Sequence, residues 1–252
     1  MKIQFLGASK TVTGSCFFVE TDEVKFLVDC GAYQGGDDLE KENFKPFPFN
    51  PADLDFVFLT HAHYDHSGRI PVLVKQGFRG RIICTQPTRD LAKIILLDSA
   101  NLQQEESKRW EANPRTDVEE RKPLFTEQDV EDCMRFFEVY PYGSSVNLTK
   151  TCEFRLRDAG HILGSAILEV WLENSAGRVR KLVFSGDLGQ PGARIVCDPD
   201  LIREADYVIC ESTYGNRIHK DRNETVLELL GILQNAQKEG GNILIPSFAI
   251  ER

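Results

Sequence analysis

Residues 60–68 read Thr60-His61-Ala62-His63-Tyr64-Asp65-His66-Ser67-Gly68, with three imidazoles and a carboxylate packed between His61 and His66. The whole chain holds only 5 histidines, so most of its imidazole sits in one short loop. Imidazole and carboxylate together suit Zn²⁺ and similar divalent ions. A solvent-facing turn has no folding reason to concentrate histidine in this way. The apolar run Phe56-Val57-Phe58-Leu59 comes directly before it and reads as a buried strand. The pattern therefore delivers several metal-ligand side chains to a strand end, as a metal-dependent hydrolase requires.

Other strand ends carry matching chemistry. His161 lies in Asp158-Ala159-Gly160-His161-Ile162-Leu163-Gly164-Ser165, and Asp187 in Phe184-Ser185-Gly186-Asp187-Leu188-Gly189. Both are flanked by glycines, which let side chains converge on an ion without crowding by the backbone. Asp29 follows Leu27-Val28, and Glu211 follows Tyr207-Val208-Ile209-Cys210. His219 has no such context and reads as a solvated loop residue. Gly7-Ala8-Ser9-Lys10-Thr11 lacks the spacing and second glycine of a phosphate loop. Ser247 lacks the G-x-S-x-G setting of a serine hydrolase.

The elements that must hold these residues alternate in type. Strand patterns occupy residues 2–6, 15–20, 25–29, 56–60, 81–85, 136–140, 152–158, 166–172, 181–185, 206–210 and 242–246. Helical patterns occupy 69–76, 87–106 and 224–239. A further helix opens at Thr126 with Asp129 three positions on, a capping-box pattern. Residues 43–51, rich in proline and phenylalanine, form an irregular connection pinned by their rings, and residues 109–121 form a polar excursion. Strand-rich blocks alternating with helices predict a layered architecture with helices covering sheet faces.

Composition is that of a globular chain: 252 residues, 41% hydrophobic and 27% charged. No apolar run is long enough to span a membrane, and the N-terminus reads as a strand rather than a signal peptide. The 7 cysteines are scattered without a C-x-x-C pair and predict reduced, buried thiols in a cytoplasmic protein. A formal net charge of −9 argues mildly against nucleic acid as a partner. A local groove and bound metal ions can nevertheless supply the positive field that phosphates need.

The sequence H-x-H-x-D-H at a strand end, a downstream G-H-x-x-G-S and a later S-G-D-x-G together resemble the metallo-β-lactamase superfamily over essentially the whole chain. The resemblance implies an α+β fold, an αββα sandwich with metals at one edge of its two sheets. It implies two Zn²⁺, with Mn²⁺ as a substitute: His61, His63 and His161 on one, Asp65 and His66 on the other, and Asp187 bridging both. Asp29 would orient the histidine loop through hydrogen bonds. Residues 211–217, residues 243–252 and Val12-Thr13-Gly14-Ser15-Cys16 resemble the β-CASP branch, nucleic-acid-processing enzymes that include ribonuclease J.

That branch implies residues 1–205 as the N-terminal part of the metallo-β-lactamase domain and 206–252 as the start of an inserted, truncated β-CASP domain. It implies Asp65, Asp187 and Glu211 as catalytic groups and hydrolysis of RNA phosphodiesters by metal-activated hydroxide. Single-stranded RNA is the expected partner, single-stranded DNA is an admissible one, and homo-oligomers are compatible with the branch. Its later motifs, a leaving-group histidine and a last metal-binding histidine, do not occur in these 252 residues. The isolated chain is therefore expected to be weakly active or inactive. Two alternatives stand beside this reading: a hydrolase of a non-nucleic-acid substrate, and a non-cutting scaffold subunit.

Overall fold

The computed structural model describes residues 1–113, 122–218, 220–247 and 250. By contact density the chain divides into two compact units, Met1–Glu211 and Ser212–Arg252. His219 and positions 114–121 of the 109–121 excursion lie outside the described residues, as do positions 248, 249, 251 and 252.

The first unit is a two-sheet sandwich. Strands β1 (Lys2–Phe5), β2 (Phe17–Glu20), β3 (Lys25–Val28), β4 (Phe56–Phe58), β5 (Arg81–Cys84) and β6 (Phe137–Val139) form one sheet in that order. It is antiparallel from β1 to β3 and parallel from β3 to β6. The second sheet has the order β11-β10-β9-β8-β7, built from β7 (Val146–Asn147), β8 (Cys152–Asp158), β9 (Ala166–Glu173), β10 (Val179–Phe184) and β11 (Tyr207–Ile209). Only its β10–β11 pair is parallel.

Alternation of side chains explains the layering. Phe26, Val28, Phe56 and Phe58 of the first sheet meet Phe154, Leu168, Val170 and Phe184 of the second in one buried cluster. The opposite residues of the parallel strands, Leu27, Val57 and Ile82, face a second cluster with the helices. These are α3 (Ile70–Lys75), α4 (Gln86–Ala112) and α5 (Glu127–Met134). Strands buried on both faces read as continuous apolar runs, which is why residues 56–59 show no alternation. The architecture is the expected α+β sandwich.

Local signals set the helix ends. The Thr126–Asp129 capping box forms as the sequence predicts, and Thr85 caps α4 by accepting from the Thr88 amide. Helix α4 continues to Ala112, through positions expected to be irregular, because no breaker interrupts them before Asn113 and the following proline. Phe47 is buried, and Phe49 stacks on both Phe47 and Phe18; Phe44 remains exposed. Five cysteines are buried, whereas Cys197 and Cys210 are exposed, and all are free.

In the second unit, α6 (Arg222–Glu239) is capped by Asp221, whose carboxylate accepts from the Asn223 amide. Residues 242–246 run without strand pairing, contrary to the sequence pattern. A strand needs a ladder partner, and none is present among the described residues of this unit.

Candidate metal centre

Strand ends of both sheets converge on one group. β4 leads through Leu59 and Thr60 into His61; helix α2 (Tyr64–Ser67) follows at once and carries Asp65 and His66. The turn from β8 to β9 carries His161, and the loop after β10 carries Asp187. The Ala166 amide donates to the Thr60 carbonyl at 2.8 Å, tying the second sheet to the histidine loop.

His61, His63, His161 and Asp187 each offer one ligand atom, all within 4.8 Å of one another. Nδ1 of His63 lies 3.1 Å from Nε2 of His61 and 3.2 Å from Nε2 of His161. Oδ2 of Asp187 lies 3.6 Å from Nε2 of His61 and 3.6 Å from Nε2 of His161. Tetrahedral zinc ligands at about 2.0–2.1 Å from the metal stand roughly 3.3 Å apart from each other. Separations of this size and a three-imidazole, one-carboxylate donor set therefore fit a single divalent cation.

A second set shares Asp187. Its other oxygen, Oδ1, lies 3.3 Å from Nε2 of His66, and Oδ2 of Asp65 lies 3.8 Å from the same nitrogen. The two oxygens of one carboxylate thus face two different groups of donors. His66 is buried, and its Nδ1 sits 2.7 Å from Oδ2 of Asp29.

Asp29 organises both sets. Its Oδ2 also accepts from the hydroxyls of Thr60 at 3.0 Å and Ser15 at 3.3 Å, and its Oδ1 accepts from the Thr60 amide at 2.8 Å. It can do this because its φ of 59° is left-handed, which reverses the strand alternation after Val28. Asp29 then shares a side with Ser15, and the Cys16 thiol meets Cys30 instead. The Cys30 contact and burial push the Cys16 thiol well above its ordinary range, so it is an inert core group.

The Thr60 hydroxyl gives its proton to Asp29 and sits 3.1 Å from Nδ1 of His61. Its oxygen must therefore accept the Nδ1–H of His61, which leaves the Nε2 lone pair facing the cluster. Asp29 fixes His66 in the same tautomer. Such outer partners orient ligands and raise their basicity. We expect Thr60→Val to weaken metal affinity about tenfold in a chelator competition, with Thr60→Ser restoring it. Equal affinities in all three proteins would remove Thr60 from this role.

Charge within the group is set by neighbours. Burial, reinforced by the other imidazoles, holds His61 well below the usual histidine range. For His66 burial acts the same way, but the Asp29 and Asp187 carboxylates overcome it and the net shift is strongly upward. Burial would raise Asp187; the His66 hydrogen bond and the surrounding imidazoles prevail and lower it. Asp65 is raised, chiefly by burial.

Glu211 does not join the cluster. Its Oε1 accepts from the Leu188 amide at 2.9 Å, and its own amide donates to Ser185 Oγ at 3.0 Å. It clamps both flanks of the Asp187 loop. The same loop is pressed against the His161 turn, where a Cβ on Gly189 would lie 1.6 Å from the Gly160 carbonyl oxygen. Ser165 Oγ accepts from the His161 and Ile162 amides at 3.0 and 3.2 Å, closing that turn. Sequence reasoning assigned no task to Ser15, Thr60 or Ser165. For Thr60 and Ser165 the signal was a hydroxyl residue within a histidine motif; Ser15 had no such neighbour in the chain.

The sequence profile described as "Metallo-beta-lactamase superfamily" matches residues 10–144. A protein of Thermus thermophilus named ribonuclease TTHA0252 is 37% identical over 252 residues, covering 100% of this chain and 53% of that protein. The transcription termination factor FttA of Methanocaldococcus jannaschii is 31% identical over 256 residues, 100% of this chain and 38% of that protein. A protein of the same organism named "Probable RNase MJ4" is 32% identical over 256 residues, 100% of this chain and 54% of that protein. The chain spans about half, or less, of the length of these curated relatives.

Proposed function

Because the chain belongs to the metallo-β-lactamase superfamily, we propose that it is the metal-binding part of a β-CASP-type hydrolase that cleaves single-stranded RNA phosphodiesters. The observation that carries this reading is Asp187, whose Oδ2 faces His61 and His161 while its Oδ1 faces His66. A carboxylate so placed can join two cations. The names of the relatives, two ribonucleases and a transcription termination factor, favour RNA over a small ester or lactam.

In this reading His61, His63 and His161 hold one ion, Asp65 and His66 a second, and Asp187 both. Two Zn²⁺ fit the donor set, with Mn²⁺ as a substitute. When bound, such a pair would supply an activated water near neutral pH and neutralise charge on the phosphate. In this reading Asp65 would also orient that water. Glu211 keeps the Asp187 loop in register through Leu188 and Ser185. Residues 206–252 would be the start of the inserted β-CASP domain. No helix among the described residues is long and apolar enough to cross a membrane.

The test offers the protein labelled single-stranded RNA, single-stranded DNA and a thioester side by side, with and without chelator. We expect RNA cleavage that chelator stops and Zn²⁺ or Mn²⁺ restores, faster than cleavage of DNA. Turnover of the thioester with no action on RNA would overturn the assignment.

A further inference from the structure

Next to the histidine loop lies a cavity of about 230 Å³, lined among others by Tyr33, Phe44, Tyr64, Leu102 and Glu106. This is below the roughly 300–1,000 Å³ that takes a drug-sized ligand, so it suits one small group. It shares one residue with the histidine loop, Tyr64, which stands between His63 and Asp65 in the chain. The wall is rigid. The Tyr64 carbonyl accepts from the Ala32 amide at 3.1 Å, and its hydroxyl accepts from Gln103 Nε2 at 3.3 Å. The Gln103 carbonyl in turn accepts from the Leu124 amide at 2.8 Å. Tyr33 is held through its hydroxyl, which donates to the Leu6 carbonyl at 2.9 Å, and through its backbone, which exchanges two hydrogen bonds with Asn43.

The lining has a distinct chemistry. Phe44 and Leu102 are each 55% exposed at its border and offer apolar surface to whatever enters it. Glu40 and Glu106 contribute two carboxylates against the single ammonium of Lys122. Net negative charge disfavours a phosphate here. An aromatic and aliphatic surface with carboxylates at the edge instead suits a flat, uncharged ring that carries amino donors. Bases stack on such side chains, and a carboxylate accepts from an exocyclic amino group such as that of cytosine.

We propose that this cavity is a nucleobase pocket: it takes one base of the RNA strand beside the phosphate at the metal centre, and prefers an amino-bearing base to uracil. The identity of the polymer rests on the ribonuclease reading above. Phe44 supplies the stacking face and Glu106 the acceptor at the base edge, and neither residue touches the proposed metal ligands.

Two measurements on the full chain test it. The first is saturation-transfer NMR with cytidine, uridine and ribose 5-phosphate as probes. Transfer to cytidine should exceed that to uridine and be lost in Phe44→Ala, Glu106→Gln should level the two nucleosides, and ribose 5-phosphate should show no Phe44-dependent signal. The second is cleavage kinetics on RNA carrying one abasic nucleotide at successive positions around the cut. At one position the abasic site should raise KM about tenfold, as loss of one stacking contact does. Phe44→Ala should raise KM similarly on intact RNA, with no further effect on that abasic substrate and unchanged metal content.

Phe44-dependent cytidine binding with thioester turnover in place of RNA cleavage would leave the pocket standing and remove the ribonuclease reading. RNA cleavage with nucleoside binding and KM both indifferent to Phe44 would overturn the pocket alone. Thioester turnover with neither nucleoside binding nor RNA cleavage would overturn both.

Discussion

Asp187→Asn is expected to reduce RNA cleavage by about a thousandfold or more while leaving the fold intact. Removing a single preorganised electrostatic group commonly costs about 10²–10³ in turnover, and Asp187 faces two donor sets at once. The substituted amide keeps the shape but presents one neutral oxygen and one NH₂ group. Whichever set the NH₂ faces loses its anionic ligand, so metal content measured by mass spectrometry should fall as well. His161→Ala makes the contrast, because Nε2 of His161 lies beside His63 Nδ1 and the Asp187 oxygen that faces His61. It should deplete the His61/His63 set and spare the other. A variant lacking the Asp187 charge that still bound two ions and cleaved RNA at the native rate would refute the bridging assignment.

Asp29→Asn is expected to lower metal affinity about 10–100-fold and stability by about 2 kcal/mol. Asparagine tolerates the left-handed backbone at this position, so the change isolates the chemistry of the carboxylate. Asp29 is 1% exposed and accepts four hydrogen bonds: from the Ser15 hydroxyl, the Thr60 amide and hydroxyl, and His66 Nδ1. An asparagine NH₂ would confront donors with another donor. His66 would lose the partner that fixes its tautomer, and His61 would lose the Thr60 hydroxyl orientation. Both metal sets should therefore weaken, although Asp29 lies in neither. Chelator competition and urea unfolding read the two effects separately. Native affinity in the Asn variant would show that Asp29 does no more than fill space.

Much of this was legible along the chain. The donor types of the histidine loop, the apolar strand before it and the glycine-flanked settings of His161 and Asp187 are local patterns, as is the capping box at Thr126. Local patterns fail where a partner decides. Residues 242–246 carry a strand pattern yet remain unpaired in their unit, since β structure is a property of a ladder. Helix α4 overran its expected end because polarity at positions 109–112 does not by itself terminate a helix. Glu211 sits at a strand end as expected, but its carboxylate turns to the Leu188 amide rather than into the cluster.

The sequence by itself determined a layered arrangement of strands and helices and which side chains could bind a cation, because both are written in periodicity and residue type; the α+β sandwich followed from the motifs that resemble the family. Only the tertiary structure decided how those side chains divide the work. The two faces of Asp187, the reach of Asp29 to His66 and through Thr60 to His61, and the cavity against Tyr64 join positions far apart in the chain. Each depends on the register of the sheets and on one left-handed residue after β3 to within a fraction of an ångström. Hydrophobic patterning cannot specify that precision, because it fixes which face is buried and not which atoms meet.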